Sequence, residues 1–122
     1  MSSPPMIAVV DDDIAIRDSL DSLMRAQGFL VAVYSSANDF LTGADFSNTD
    51  YLITDVQMPE MGGIELHEHL MALDIHIPTI FMTAFPSDSI RKRAMTGAAV
   101  CFLAKPFTAQ ALIDCLNLSI SD

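Results

Sequence analysis

Carboxylates, a hydroxyl and an ammonium group follow short apolar segments of this sequence. The aspartates at residues 11–13 follow one such segment, Asp55 follows another, Thr83 ends a third, and Lys105 follows a fourth. An Asp after a single strand is common on protein surfaces. Acids at two such ends, with a hydroxyl and a lysine at two others, indicate groups that act together if the fold brings these ends to one place.

The chemistry of such a group of side chains is that of a cation and a phosphoryl group. Close carboxylates repel one another, and the pKa of each rises unless a cation neutralises them. Oxygen ligands without His or Cys nearby favour Mg²⁺, Mn²⁺ or Ca²⁺ over zinc. A carboxylate there can attack phosphorus and become an acyl phosphate, while Lys105 supplies positive charge and Thr83 a hydrogen-bond donor.

The segments that position these groups alternate in type along the chain. Apolar runs without polar alternation predict strands that are buried on both faces. They lie at Met6–Val10, residues 29–34, residues 51–54, Thr79–Thr83 and residues 100–104. Each is followed by a helical pattern, namely residues 16–27, 36–41, 66–73, 87–96 and 108–122. This alternation predicts an α/β fold, a doubly wound parallel sheet that binds ligands beyond the carboxyl ends of its strands.

Length and composition fit one domain. The chain has 122 residues, of which 51% are hydrophobic, enough to bury a core. With 16 acidic and 6 basic side chains its formal net charge is −10. This charge argues against direct binding of nucleic acid, because phosphate contacts need a basic patch, and it suits a cation or a basic partner.

No targeting signal or membrane span is predicted. The longest apolar stretch, residues 77–85, is interrupted by Pro78 and is too short to cross a bilayer. No basic residue or signal-type segment opens the chain, so we expect a flexible start at residues 1–5 and a cytoplasmic protein. Cys101 and Cys115 lack metal-ligand spacing, and we expect buried free thiols, as in a reducing cytosol.

Four motifs resemble those of the receiver domain of two-component response regulators, in order and at that family's spacing. They are Val-Val-Asp-Asp-Asp at residues 9–13, Thr-Asp-Val-Gln-Met-Pro at residues 54–59 with Gly62 and Gly63 after it, Thr83-Ala84, and Phe-Leu-Ala-Lys-Pro-Phe at residues 102–107. The resemblance implies a receiver domain over residues 6–122, with a flavodoxin-like strand order 2-1-3-4-5 and five helices. Residues 34–40 are also similar to the FixJ-type regulators, which implies a part in transcription regulation.

The resemblance assigns the acidic residues to a phosphoacceptor and metal site. Asp55 would accept a phosphoryl group from a sensor histidine kinase or a phosphotransfer protein. Asp12 and Asp55 would bind Mg²⁺, or Mn²⁺ in its place, with the backbone carbonyl of Gln57 as a further ligand and Asp11 assisting.

The resemblance also implies a switch. Thr83 and Lys105 would contact the phosphoryl group, and Phe102 would turn inward as Thr83 moves. The Lys105–Pro106 peptide would be cis, which only X–Pro bonds adopt at modest cost. The domain would be a regulatory phosphoacceptor rather than an enzyme with a separate substrate. Its fourth helix, fifth strand and fifth helix would form the face that controls output or dimerisation in phosphorelay signalling.

A basic cluster lies on the predicted fourth helix. Arg91, Lys92 and Arg93 are half of the six basic residues in an otherwise acidic chain. One interpretation is a solvated helix face. The other is a contact face for an acidic partner or a second copy of the chain, and the resemblance places the cluster on the output face. We expect a homodimer through the fourth helix and fifth strand.

Two residues flank the predicted phosphoacceptor and the hydroxyl. Gln57 lies two residues after Asp55, and Phe85 lies two residues after Thr83. Both are expected beside the path of water to the acyl phosphate. One hypothesis is that Phe85 slows hydrolysis by restricting that water, and the alternative is that it simply packs against the fourth helix.

Two other functions use similar residues. Aspartate-nucleophile phosphohydrolases commonly carry a second Asp two residues after the nucleophile as general acid, whereas Gln57 cannot protonate a leaving group. A receiver domain that has lost phosphorylation and only binds partners is the other alternative. The presence of all five family positions, from Asp11 to Lys105, argues against it.

Three polar residues near these motifs have ordinary structural interpretations. Asp13 is predicted to cap the first helix rather than to bind metal. His67 and His69 lie two positions apart on a helix, about 200° round its axis, so they cannot easily share a metal ion. We expect both on the solvated surface.

Overall fold

The computed structural model describes residues 4–120, which form one parallel sheet with helices on both faces. The strands are β1 (Met6–Val10), β2 (Leu30–Tyr34), β3 (Tyr51–Asp55), β4 (Thr79–Thr83) and β5 (Ala99–Ala104). The helices are α1 (Ile14–Ala26), α2 (Ala37–Gly43), α3 (Gly63–Ala72), α4 (Asp88–Ala94) and α5 (Ala109–Ile120). A short 3₁₀ helix, Phe46–Asn48, precedes β3. The strand order β2-β1-β3-β4-β5 confirms the predicted flavodoxin-like fold.

The ends of the predicted domain fall partly outside the described residues. Most of the predicted flexible start at residues 1–5 lies there, as does the end of the predicted fifth helix at residues 121–122. The extent of the domain over residues 6–122 stays a prediction.

Short polar side chains begin the helices that follow the strands. The Asp13 carboxylate accepts a hydrogen bond from the backbone N–H of Ala15 at 2.9 Å, which confirms Asp13 as the cap of α1. The Ser87 hydroxyl caps α4 in the same way by accepting the N–H of Ile90 at 3.2 Å. These hydrogen bonds satisfy backbone N–H groups in the first turns of α1 and α4, which otherwise have no partner within the helix.

Apolar side chains cover both faces of the sheet. On one face, residues of β1, β3 and β4 pack against Leu20 and Met24 of α1 and against Leu112 and Leu116 of α5. On the other face, Phe40 of α2 packs in a second cluster with residues of β1, β3 and α3. Because both faces are buried, the one charged residue within the described strands, Asp55, lies at the end of β3.

The expectation of free thiols is wrong. Cys101 of β5 and Cys115 of α5 form a disulfide, and the described residues include no free cysteine. The helix returns along its own strand, which brings the two Cα atoms to 5.9 Å, within the range that a disulfide requires. The sequence separation of 14 residues carries no sign of this pairing, since it depends on how α5 packs on β5.

The expectation that His67 is solvated is also wrong. Its side chain is only 2% exposed, and its ring meets that of Phe81 edge-on with centroids 5.5 Å apart. Burial lowers the pKa of His67, so the neutral ring packs like an apolar side chain. The position follows Ile64 by three residues on the buried side of α3, a spacing that could have predicted its burial. His69 is exposed, as expected.

Candidate functional site

The parallel strands bring the predicted site residues to one edge of the sheet. β1 and β3 run in register, so Asp11 and Asp55 follow their last paired residues side by side. β4 and β5 continue the sheet, with Thr83 at the end of β4 and Lys105 directly after β5. This edge includes the β1–β3 pair, where the strand order reverses and doubly wound sheets bind their ligands.

Lys105 forms ion pairs with two buried carboxylates. Its Nζ atom lies 3.0 Å from Oδ2 of Asp11 and 3.4 Å from Oδ2 of Asp55. Asp11 is fully buried, and Asp55 is 7% exposed. One ammonium group cannot neutralise two carboxylates, so the edge keeps a net negative charge. The Lys105–Pro106 peptide that places the lysine here is cis, as the resemblance implied.

Burial and charge shift the proton affinities of this group. Burial and the nearby charge of Asp11 raise the pKa of Asp55, and Lys105 offsets only part of this effect. Burial by itself would lower the pKa of Lys105, but the hydrogen bond and charge of Asp11, together with Asp55, outweigh it and raise that pKa. Lys105 therefore stays protonated and positively charged. A further cation beside Asp55 would favour the ionised form of its carboxylate.

Three carboxylates can share one cation. Asp11, Asp12 and Asp55 each offer an oxygen atom, and these atoms lie within 4.8 Å of one another. Asp12 is exposed while the other two are buried, so the group opens to solvent on one side. An all-oxygen donor set with excess negative charge fits Mg²⁺ or Mn²⁺. Asp13 lies outside this group because its carboxylate caps α1.

The Thr83 hydroxyl forms a hydrogen bond with a side chain of the loop after β3. Its Oγ1 donates to Oε1 of Gln57 at 2.8 Å and accepts from the backbone N–H of Phe85 at 3.0 Å. The sequence predicted a backbone metal ligand at Gln57 and a side chain beside the path of water, but not this hydrogen bond to Thr83. Its position two residues after a strand-end Asp was the only signal.

The two aromatic residues near Thr83 differ in burial. Phe102 is partly buried and packs against a cluster that contains Val56 and Phe81. Phe85 is 72% exposed, so most of its side chain is free of packing against α4 or any other element. Its suggested effect on hydrolysis remains a hypothesis.

The three residues of the basic cluster on α4 differ in their ion pairs. Arg93 reaches α3, where it pairs with Glu65 at 3.0 Å and Glu68 at 3.1 Å. Arg91 and Lys92 are exposed. The two glutamates lie three residues apart on one side of α3, and this spacing was the available signal for the bridge to Arg93.

The sequence matches the family model of the response regulator receiver domain over residues 7–117. Nodulation protein W of Bradyrhizobium diazoefficiens is 40% identical over 113 residues, which cover 93% of this chain and 50% of that protein. Transcriptional regulatory protein FixJ of Rhizobium meliloti is 36% identical over 111 residues, which cover 91% of this chain and 54% of that protein. The structure of response regulator StyR superposes with a TM-score of 0.88 at 39% identity, covering 96% of this chain and 60% of that chain.

The chain spans about half the length of the curated relatives that it matches. No helix in the described part of the chain has the length and apolar character that a membrane span requires. The family model covers nearly the whole sequence, and the strand order β2-β1-β3-β4-β5 is that of a CheY-like fold. The chain therefore belongs to the receiver domain family of two-component response regulators, whose members are regulatory phosphoacceptor domains.

Proposed function

We propose that this chain accepts a phosphoryl group on Asp55 in a Mg²⁺-dependent reaction, from a histidine kinase or a phosphotransfer protein. The observation that carries the proposal is the convergence of Asp11, Asp12, Asp55 and Lys105 at one sheet edge. Among the described residues, no other group of three carboxylates lies so close together and in contact with a lysine.

The transfer forms one bond and breaks one. A carboxylate oxygen of Asp55 attacks the phosphorus of a phosphohistidine, the P–N bond breaks, and the imidazole leaves with its electron pair and takes up a proton. Lys105 lies 3.4 Å from the Asp55 carboxylate and can contact an oxygen of the incoming group without first moving into the site. Its charge offsets the negative charge that the phosphoryl oxygens bring.

A bound divalent cation would add to this charge compensation. Asp11, Asp12, Asp55 and the backbone carbonyl of Gln57 would hold Mg²⁺, which would bind a phosphoryl oxygen and neutralise the remaining charge. The buried position of Asp11 and its hydrogen bond from the N–H of Asp13 at 2.9 Å keep its carboxylate oriented toward the site.

Phosphorylation would be communicated through Thr83. The residue is fully buried at the end of β4, directly before the loop that leads to α4. A phosphoryl group on Asp55 would draw the Thr83 hydroxyl toward it, and Phe102 would follow into the space that Thr83 leaves. The face formed by α4, β5 and α5 would then change, with Arg91 and Lys92 as exposed cations for a second acidic copy of the chain.

Labelling with a small phosphoryl donor tests the proposal. Incubation with acetyl phosphate and Mg²⁺ is expected to add one phosphoryl group to the chain, measured as intact mass. Asp55→Asn is expected to abolish the addition, and so is removal of Mg²⁺ with a chelator. Asp18→Asn, which removes an exposed carboxylate from α1, is the matched control and should leave labelling unchanged.

Two outcomes would contradict the proposal. Absence of labelling in the wild-type chain would favour a receiver domain that only binds partners. Release of phosphate from a phosphate ester over many turnovers would favour a phosphohydrolase instead.

A further inference from the structure

We propose that the side chain of Gln57 is a positioning residue that holds Thr83 in its resting arrangement by competing with the phosphoryl group for the Thr83 hydroxyl proton. The proposal rests on the proposed phosphorylation of Asp55. It concerns the carboxamide of Gln57, not the backbone carbonyl assigned to the metal site.

Gln57 accepts the only proton that the Thr83 hydroxyl can donate. Thr83 Oγ1 donates to Oε1 of Gln57 at 2.8 Å, and it accepts the N–H of Phe85 at 3.0 Å. A threonine hydroxyl has one proton to donate, so a single good acceptor occupies it. The bond from Phe85 uses a lone pair of the same oxygen and fixes the direction in which the proton points.

The burial of Thr83 makes its hydrogen bond to Gln57 costly to lose. Thr83 is fully buried, whereas Gln57 is exposed and approaches the hydroxyl from the solvent side. Gln57 Oε1 is the acceptor that the structure gives this buried donor, and a buried donor is costly to leave unpaired. The hydroxyl can therefore turn to a phosphoryl oxygen on Asp55 only by giving up Gln57.

The position of Gln57 couples this exchange to the site. Gln57 lies in the loop after β3, two residues after Asp55 at the end of that strand, so its oxygen and a phosphoryl group on Asp55 would compete for the same hydroxyl. The two hydrogen bonds are mutually exclusive, and the one to Gln57 favours the unphosphorylated arrangement. A residue here without a good acceptor would make the Thr83 hydroxyl available at rest.

The variant Gln57→Met tests the competition, because methionine has a similar length and a thioether that is a weak acceptor. The probe is beryllofluoride with Mg²⁺, a mimic of the phosphoryl group. Gln57→Met is expected to bind the probe about three- to tenfold more tightly, the effect of removing one competing hydrogen bond. Gln110→Met, the same substitution at an exposed position of α5, is the matched control and should bind like the wild type.

An NMR shift and a melting temperature separate competition from a general structural role, and the NMR shift needs neither probe nor metal. The backbone amide proton of Phe85 is expected to shift in the NMR spectrum of Gln57→Met, since its acceptor Thr83 Oγ1 loses its own partner. The melting temperature of the resting variant is expected to fall, and the probe should then raise it more than in the wild type.

A double-mutant cycle with Thr83→Val completes the test. In the Thr83→Val background, Gln57→Met is expected to have no effect on probe affinity. Equal affinities of the wild type and Gln57→Met, or an effect of the same size in both backgrounds, would overturn the competition while leaving phosphorylation of Asp55 intact. Failure of the wild type to bind the probe would overturn both proposals, because Gln57 would then have no competitor.

Discussion

At the scale of single residues, the acidic edge is defined by an imbalance of charge. Lys105 pairs with Asp11 and Asp55, and no second cation from the described residues contacts these two carboxylates. Burial denies them the compensation that water would supply. The resting site is therefore electrostatically unfavourable for an ionised Asp55, and a bound cation would reduce this unfavourable energy.

The unfavourable ionisation of Asp55 makes folding stability depend on pH. Burial and the charge of Asp11 raise the pKa of Asp55 above the ordinary value of 3.8. Above that pH, the folded protein holds a proton at Asp55 that the unfolded chain has released. Stability therefore falls as the pH rises through the folded-state pKa.

We expect Asp55→Asn to raise the free energy of unfolding at neutral pH in the presence of a chelator, because asparagine keeps the shape without the charge. The difference should shrink as the pH is lowered toward 3.8. Urea denaturation over this range measures it, with the exposed Asp18→Asn as control. Mg²⁺ should stabilise the wild type and not Asp55→Asn. Equal stability of the two proteins at neutral pH would count against a strained carboxylate.

The residue types and their spacing predicted which side chains meet at the acidic edge better than they predicted the individual contacts there. Asp55 and Lys105 could be placed because parallel strands bring their ends together whatever the loops do. The bond between Gln57 and Thr83 could not, because it depends on the path of the loop after β3. His67 was misjudged because a histidine was read by its polarity, although its spacing from Ile64 pointed to the core.

At the scale of elements, α5 is joined to the sheet by a covalent link as well as by packing. The Cys101–Cys115 disulfide closes a loop with a sequence separation of 14 residues. Around it lie Leu112 and Leu116, both buried in the cluster shared with α1. The link limits how far α5 can move from β5.

Reduction of this disulfide is expected to lower the free energy of unfolding by about 3 kcal/mol, the loop-closure entropy of a loop of roughly 15 residues. Urea denaturation with and without dithiothreitol measures the change. Cys101→Ala/Cys115→Ala should be insensitive to the reductant. A wild-type chain that is equally insensitive would mean that the thiols are unpaired in solution.

Element boundaries were predictable where burial and capping act locally. β1 and β4 have the bounds predicted for them, since fully buried strands leave a continuous apolar run. The Phe46–Asn48 turn was missed because three residues carry no periodicity. α4 ends at Ala94, two residues before its predicted end, because its amphipathic pattern is weak there.

At the scale of the whole molecule, the distribution of charge limits where two copies of the chain could meet. A net charge of −10 opposes the approach of two copies, except where exposed cations meet the partner's acids. Arg91 and Lys92 on α4 provide such cations, while Arg93 is paired with Glu65 and Glu68 of its own chain. The sequence could not distinguish these three neighbours, because only the packing of α3 against α4 selects one.

We expect the phosphorylated chain to dimerise through α4 and β5, and Arg91→Glu/Lys92→Glu to weaken this dimer. High salt should weaken the wild-type dimer too, because exposed charges are screened over about 10 Å at 0.1 M salt. Sedimentation velocity measures both effects, and Arg25→Glu on α1 is a charge control away from this face. A dimer indifferent to salt and to the α4 substitutions would place the contact elsewhere.

The central claim is that Asp55, and no other carboxylate of the acidic edge, becomes the acyl phosphate. Borohydride reduces an aspartyl phosphate to homoserine, which peptide mass spectrometry locates after labelling with acetyl phosphate and Mg²⁺. We expect homoserine at position 55 alone, and none when Mg²⁺ is withheld. Homoserine at Asp11 or Asp12, or a labelled chain with an unmodified Asp55, would contradict it.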